Sequence, residues 1–162
     1  MAESTINSRE PSISVRRIKE ISFFIDEPLI AKRLNGKEGL INFQIGLQLS
    51  FTADVNVVFL LSRIFCHLND SPDEILSEIQ VQNIFEIAEL KRFQTGPAEL
   101  VLPEQLIMSM VGVSISHARA LMAKNIIGTP LQENNLGLVN SYELARHFFP
   151  QMFALHTPVE QP

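Results

Sequence analysis

The sequence is poor in the residues on which many protein functions depend. It has a single cysteine, Cys66, among 162 residues, which excludes an internal disulfide bond and a cysteine-based zinc site. Its net charge of −5 argues against a surface for nucleic acid. The N-terminus is polar, and the longest unbroken apolar run, 57–61, is too short to cross a bilayer. We therefore expect a reduced, cytoplasmic protein that neither binds nucleic acid nor inserts into a membrane.

The usual catalytic and metal-binding patterns are missing as well. The four histidines, at positions 67, 117, 147 and 156, are not paired at metal-ligand spacing with one another or with carboxylates. The sequence contains no phosphate-cradling glycine loop and no Gly-x-Ser-x-Gly elbow. It therefore predicts a protein without enzymatic activity, metal or cofactor.

Apolar residues are abundant, at 46% of the chain, and the length suits one domain with a single core. We expect a flexible N-terminal tail at 1–11, a globular domain at 12–150 and a frayed C-terminal tail at 151–162. The stretch 41–52 is the clearest element, since its odd positions are all apolar and its even positions are small or uncharged. This alternation predicts a long strand with one buried face.

Three further segments have the composition of strands: 13–25, with a change of face near Lys19; 55–68; and 75–87, in which Ile75 points inward and Leu76 and Glu78 point outward. Pro28 ends the first of them, and 29–39 is a connection. Turn signals at 53–54 and 69–73 separate the others. Together they predict a four-stranded antiparallel sheet whose outer face is polar and partly acidic.

A crossover loop at 89–101 precedes two predicted helices. The first begins at Leu102-Pro103-Glu104, where a proline and an acid favour a helix start, and runs to about Asn125. The second, 141–149, has Asn140 as its N-cap. The first helix is apolar around most of its circumference, so we expect the sheet to cover one side and a second protomer to cover the other. The fold class is α+β, in a homo-oligomer.

Motifs along this chain resemble those of SecB, the bacterial protein-export chaperone. They are Arg17-Ile18 followed by Ile21-Ser22-Phe23; Leu76-Ser77-Glu78-Ile79-Gln80 leading to Ile84-Phe85-Glu86-Ile87; Leu102-Pro103; Gly128-Thr129-Pro130-Leu131; and the segment from Asn140 to Leu144. The likeness covers roughly residues 13–149. It implies a homotetramer, a dimer of dimers, without enzymatic activity. It also implies a cytoplasmic holdase that keeps unfolded precursor polypeptides in apolar grooves and delivers them to the motor ATPase SecA.

The resemblance further suggests two sets of site residues. The family docks its motor on acidic residues of the outer sheet face, and the matching positions here are Glu20, Leu76 and Glu78. A further acidic position is Phe24 in this chain, which departs from the pattern. The alternative is that Glu20 and Glu78 are ordinary solvated residues. For the polypeptide groove we select apolar residues near the crossover loop and second helix, with core packing as the alternative: Phe43, Phe85, Phe93, Leu131, Tyr142 and Phe148.

Two other functions remain open. The same fold could serve as a scaffold or toxin–antitoxin-type chaperone module that binds one specific partner. A small enzyme or ligand-binding domain with a pocket between sheet and helix is the other alternative. The inward strand positions argue against it, because they are almost uniformly aliphatic or phenylalanine.

Overall fold

The computed structural model describes residues 11–34 and 41–153. Predictions for 1–10, 35–40 and 154–162, which include most of both tails, lie outside the described residues. The elements in chain order are β1 (Ile13–Ile25), α1 (Glu27–Leu34), β2 (Ile41–Thr52), β3 (Val57–Leu68), β4 (Ser71–Ile87), β5 (Gln94–Gly96), β6 (Glu99–Leu100), α2 (Glu104–Asn125) and α3 (Ser141–Phe148).

The main sheet has four antiparallel strands, as the sequence predicts, and their order is β1-β4-β3-β2. β2 has the predicted bounds, and its apolar side chains face the helices. A 3-10 turn at Ala53–Val55 joins β2 to β3 and ends at Asn56, whose φ of 56° is left-handed. Asparagine tolerates this conformation better than most residues. Its side-chain oxygen also accepts a hydrogen bond from the backbone N–H of Leu90 at 3.0 Å, which ties the turn to the crossover segment.

Three residues without a sheet partner change the predicted faces of the strands. Arg16 and Ile21 fall at register shifts between β1 and β4, and Leu76 falls at a shift between β4 and β3. Each extra residue changes the face to which nearby side chains point. Leu76 is consequently buried, with 0% exposure, while Ile75 is only partly buried. The predicted outward direction of Leu76 and inward direction of Ile75 are therefore wrong.

Helix α1 was not predicted, because 27–34 was assigned to a strand end and a connection. Its start signals are present in the sequence. The Asp26 carboxylate accepts a hydrogen bond from the backbone N–H of Leu29 at 2.8 Å, and Pro28 lies in the first turn, where its missing N–H costs nothing. The helix buries Ile30 and Leu34 in the same apolar cluster as Leu76. It therefore closes one end of the sheet.

Helix α2 lies against β1, β3 and β4, while α3 packs on a second side of it, where Gly112 adjoins Ser141. By length and composition α2 could cross a membrane, but it is packed here as a core helix. Its exposed positions are mostly small or polar: Gln105, Ser109, Val113, Ser116, Ala120 and Lys124. The covering that the sequence assigned to a second protomer is thus supplied in part by α3 of the same chain.

The core consists of two apolar clusters with polar residues between them. Ser62 on β3 and Asn83 on β4 each separate a residue of one cluster from a residue of the other along the chain, whereas Ser114 on α2 lies between Val111 and Ile115 of the first cluster. All three are fully buried. His117 on α2 lies with its Nδ1 2.6 Å from the Asn83 side-chain oxygen. The inward positions are therefore less uniformly apolar than the sequence suggested.

Candidate functional site

A groove lies at the free edge of the sheet, beside β2. It has a volume of about 490 Å³. Its floor contains apolar side chains from β2, β6 and the segment after α3: Leu49, Phe51, Leu100, Phe149 and Met152. Its rim is exposed and small or polar, formed by Ser50, Pro97, Ala98, Glu99 and Gln151. An apolar floor with a polar rim is suited to holding apolar side chains while its edges stay in water.

Strand β2 contributes a backbone edge to this groove. It pairs with β3 on one side, and no other strand of the described chain pairs with its second side. Such an edge presents backbone N–H and C=O groups in the pattern that another extended chain needs for pairing. The groove therefore combines apolar contact with a source of sequence-independent hydrogen bonds.

The floor is held in place by the segment after α3. Asn140 caps that helix by accepting hydrogen bonds from the backbone N–H groups of Tyr142 at 3.0 Å and Glu143 at 3.3 Å. A 3-10 turn at Pro150–Met152 then follows, in which Met152 N–H bonds to the Phe149 carbonyl at 3.0 Å. Met152 is only 2% exposed. Its assignment to a frayed tail beginning at 151 was therefore wrong.

The opposite wall is the β5–β6 hairpin, formed by a segment predicted to be a loop. The Gln94 side chain donates hydrogen bonds to the carbonyl oxygens of Gly96 at 2.9 Å and Pro97 at 3.4 Å across the hairpin turn. Val101 N–H bonds to the Phe93 carbonyl at 2.9 Å and closes the base of the hairpin. These bonds fix the conformation of the hairpin that carries the exposed Pro97–Glu99 rim.

On the outer face of the sheet, the side away from α2, the acidic side chain of Glu78 is paired with a base. Glu78 forms two hydrogen bonds with the Arg63 guanidinium, at 2.8 and 2.6 Å. These bonds lower the pKa of Glu78 and raise the pKa of Arg63. The neighbouring outward positions on β3, Phe59, Leu61 and Phe65, are apolar and half-buried. On this face the charge of Glu78 is therefore balanced by Arg63, and the apolar side chains of β3 lie beside this pair.

The polar core residues do not form a nucleophile with a base. Ser114 Oγ, Ser62 Oγ and Asn83 Nδ2 make no hydrogen bond to any group that the structure describes. Within 11–34 and 41–153, no three His, Cys, Asp or Glu residues are grouped as metal ligands. Burial raises the pKa of the Cys66 thiol to about 11, which disfavours the reactive thiolate.

The sequence matches no family model and no curated protein. The fold, in contrast, is similar to a solved SecB-like chaperone, Rv1957 of Mycobacterium tuberculosis, in complex with a ChAD peptide from the Rv1956 HigA1 antitoxin. The match has a TM-score of 0.52 at 7% identity and covers 78% of this chain and 90% of that one. The chain has the SecB-like fold. A protein of unknown function from Streptococcus agalactiae is also similar, with a TM-score of 0.46 and 11% identity over 81% of this chain and 99% of that one.

On this SecB-like fold, none of the six residues selected from the sequence lines the groove beside β2. Phe85 and Leu131 are each 1% exposed, which favours the core-packing alternative over a groove role for these two. Phe43 is partly buried against the apolar cluster that contains Leu76. Phe93 lies under the Arg92 guanidinium at 4.7 Å from ring centre to charge.

The last two selected residues lie on α3. Tyr142 is 37% exposed and contacts the Phe153 ring edge-on, at 5.6 Å between ring centres. Phe148 is half-buried, with its ring centre 4.9 Å from that of His147. The residues that do form the floor gave only an apolar signal in the sequence. Core and groove residues are alike in this respect, and only the three-dimensional neighbours distinguish them.

The three outer-face residues taken from the SecB resemblance are not brought together. Leu76 is buried, as described above. Glu20 is opposite Val81, on the helix side of the sheet, and accepts a hydrogen bond from the Asn125 side chain at the end of α2 at 3.1 Å. Only Glu78 lies on the outer face, where Phe24 of β1 is its partner in register. The shared acidic face predicted from these positions is therefore absent from the described structure.

Proposed function

We propose that this protein is a non-enzymatic chaperone that holds unfolded polypeptide segments in the groove beside β2. The observation that carries the proposal is the position of an apolar floor directly against an unpaired strand edge. An extended segment could pair with the edge through its backbone while alternate side chains enter the groove. Folded proteins have few free backbone groups of this kind, so the site favours unfolded chains.

The composition of the floor supports binding of many sequences. Leu49 and Phe51 are only partly buried and offer aliphatic and aromatic surface to side chains of different shape, while Phe149 and Met152 are buried and support them from the core. Hydrogen bonds to the β2 backbone would add affinity without reading sequence. A holdase needs this combination because its contacts must be spread over several weak sites.

A second candidate is a scaffold that binds one specific partner. It is favoured by the similar fold of Rv1957, which was solved with a peptide from an antitoxin. The two candidates differ in what they bind: a holdase binds many chains only when they are unfolded, whereas a scaffold binds a single native partner tightly. Delivery to a SecA-type motor is not included in the proposal, because Glu78 is the one predicted docking residue on the outer face and it is already paired with Arg63.

We also propose that the protein is cytoplasmic and forms a homo-oligomer, a dimer of dimers, through β1. This strand is the other edge of the sheet, and Val15, Ile18 and Ile21 on it are 43–45% exposed. A strand edge with exposed apolar side chains is a surface suited to pairing with another chain. A second copy would bury both the edge and these side chains.

The holdase proposal is tested by fluorescence anisotropy with one labelled polypeptide, measured once folded and once kept unfolded. We expect binding to the unfolded form only. Phe51→Ser should weaken that binding by roughly tenfold or more, since an anchoring aromatic contributes about 1.5–3 kcal/mol. Phe24→Ser is the matched control, because Phe24 is 50% exposed on β1, away from the groove.

Phe51 is partly buried, so a variant that leaves the core intact is also needed. Ala98→Asp places a charge on the exposed rim of the groove and should weaken binding without changing the unfolding transition. Equal binding by wild type and both groove variants would place the client site elsewhere. Tight binding to a single folded protein, with none to unfolded chains, would favour the scaffold.

A further inference from the structure

A second groove lies on the outer face of the sheet, on the side opposite α2. Its volume is about 480 Å³. Three neighbouring strands form it, because Arg17 on β1 is opposite Ile84 on β4, which in turn is opposite Phe59 on β3. Val55 and Val57 extend the apolar floor, and Arg16 completes the rim. None of these residues belongs to the groove beside β2.

The charge around this outer groove is positive. Arg16 and Glu86 form an ion pair at 3.2 Å, but their side chains are 55% and 49% exposed. Such an exposed pair is weak and exchanges readily with other charged groups. Arg17 forms no ion pair with any residue in 11–34 or 41–153. Two guanidinium groups thus lie beside an apolar floor, and Glu86 is the carboxylate that pairs with one of them.

The shape of the outer groove points to a polypeptide occupant. A small ligand is usually held in a pocket that buries 70–90% of its surface. This groove is shallow and lies on an open sheet face, with Val55 57% exposed at its end. A polypeptide segment can spread contacts along such a surface, and guanidinium groups pair with carboxylates in a bidentate geometry.

We propose that the outer groove docks a short acidic segment of a partner polypeptide. An apolar side chain of that segment packs on Phe59 and Ile84, and its carboxylates pair with Arg16 and Arg17. The site is chemically distinct from the groove beside β2, which has an apolar floor and a backbone edge. The inference therefore stands whether or not the groove beside β2 holds unfolded chains.

The test uses two fluorescein-labelled peptides that alternate Leu and Phe with either Asp or Lys. We expect wild type to bind the Asp peptide more tightly than the Lys peptide, with the difference decreasing at high salt. Arg17→Glu should weaken binding of the Asp peptide roughly tenfold, since it replaces an attraction with a repulsion. Arg146→Glu is the matched control, because Arg146 is exposed on α3.

Two further measurements locate the binding. Val55→Asp changes the exposed end of the outer groove and should also weaken the Asp peptide, whereas Ile127→Asp, at a site that is 72% exposed after α2, should leave its affinity unchanged. Amide NMR shifts on adding the Asp peptide should fall at 16–17, 55–59 and 84. Equal affinity for the two peptides, or shifts confined to β2 and the β5–β6 hairpin, would overturn the proposal. A change in molecular mass caused by Arg17→Glu, without peptide binding by wild type, would assign the groove to contact between copies.

Discussion

The buried hydroxyl of Ser114 gives a sharp test of the core. It lies on α2, is 0% exposed, and its Oγ has no hydrogen-bond partner among the residues that the structure describes. A hydroxyl that is buried without a hydrogen-bond partner destabilises the folded state by about 1–3 kcal/mol, because its lost hydrogen bonds to water are not replaced. We therefore expect Ser114→Ala to stabilise the protein, which is the opposite of the usual effect of a core substitution.

The magnitude follows from three contributions. Removing the unpaired hydroxyl stabilises by about 1–3 kcal/mol, and the higher helix propensity of alanine adds about 0.5 kcal/mol. The space left by one oxygen atom offsets roughly 0.4 kcal/mol of this gain, taking about 24 cal/mol per Å³ of cavity. The net expectation is a rise of about 1–3 kcal/mol in the free energy of unfolding. For a chain of this size the melting temperature should rise by roughly 2–10 °C.

The assay is urea and thermal unfolding followed by far-UV circular dichroism. Ser109→Ala is the matched control, because Ser109 is exposed on the same helix and its hydroxyl donates to the Gln105 carbonyl at 2.8 Å. It should change stability by no more than about 0.5 kcal/mol. A loss of stability in Ser114→Ala, or a change equal to that of Ser109→Ala, would show that the Ser114 hydroxyl has a partner in solution and would refute the reasoning.

Two other predictions concern the sheet. Arg63 lowers the pKa of Glu78 in the folded state. The stability from this pair is therefore present above the ordinary pKa of 4.5 and is lost as the pH falls through the folded-state pKa. The stability difference between wild type and Glu78→Gln should shrink during an acid titration, and a constant difference would contradict the pairing. Ile18→Lys should lower the molecular mass measured by light scattering if β1 joins two copies, whereas Ile127→Lys, at a site that is 72% exposed after α2, should leave it unchanged. An unaltered mass for Ile18→Lys would exclude β1 as the interface.

The elements with a clear period could be predicted from the sequence. The alternation over 41–52 gave β2 its observed bounds, and Asn140 marked the start of α3 through its side-chain oxygen. Each signal is local: a residue and its near neighbours carry the physical cause. The antiparallel pairing of β2, β3 and β4 also followed, because short turns between successive strands favour antiparallel neighbours, whereas the pairing of β1 with β4 was not predicted.

The side-chain faces of β1 and β4 could not be predicted in the same way. A bulge is a property of two paired strands, and nothing local in 71–87 shows that Leu76 has no partner on β3. One unpaired residue was enough to bury Leu76, and the two in β1 altered the alternation that would have set the face of Glu20. The acidic docking face inferred from sequence required both Leu76 and Glu20 to point outward, and neither does.

The pair formed by His117 and Asn83 has a consequence for the position of α2 along the sheet. Apolar packing is non-directional, so α2 would still make apolar contacts with both clusters if it slid by one turn, about 5.4 Å. The hydrogen bond between these side chains, 2.6 Å long, would not survive that shift. It would leave Asn83 buried with neither end of its amide bonded. The hydrogen bond between the polar residues therefore fixes the position of α2 along its own axis, although the helix is held to the sheet mainly by hydrophobic contact.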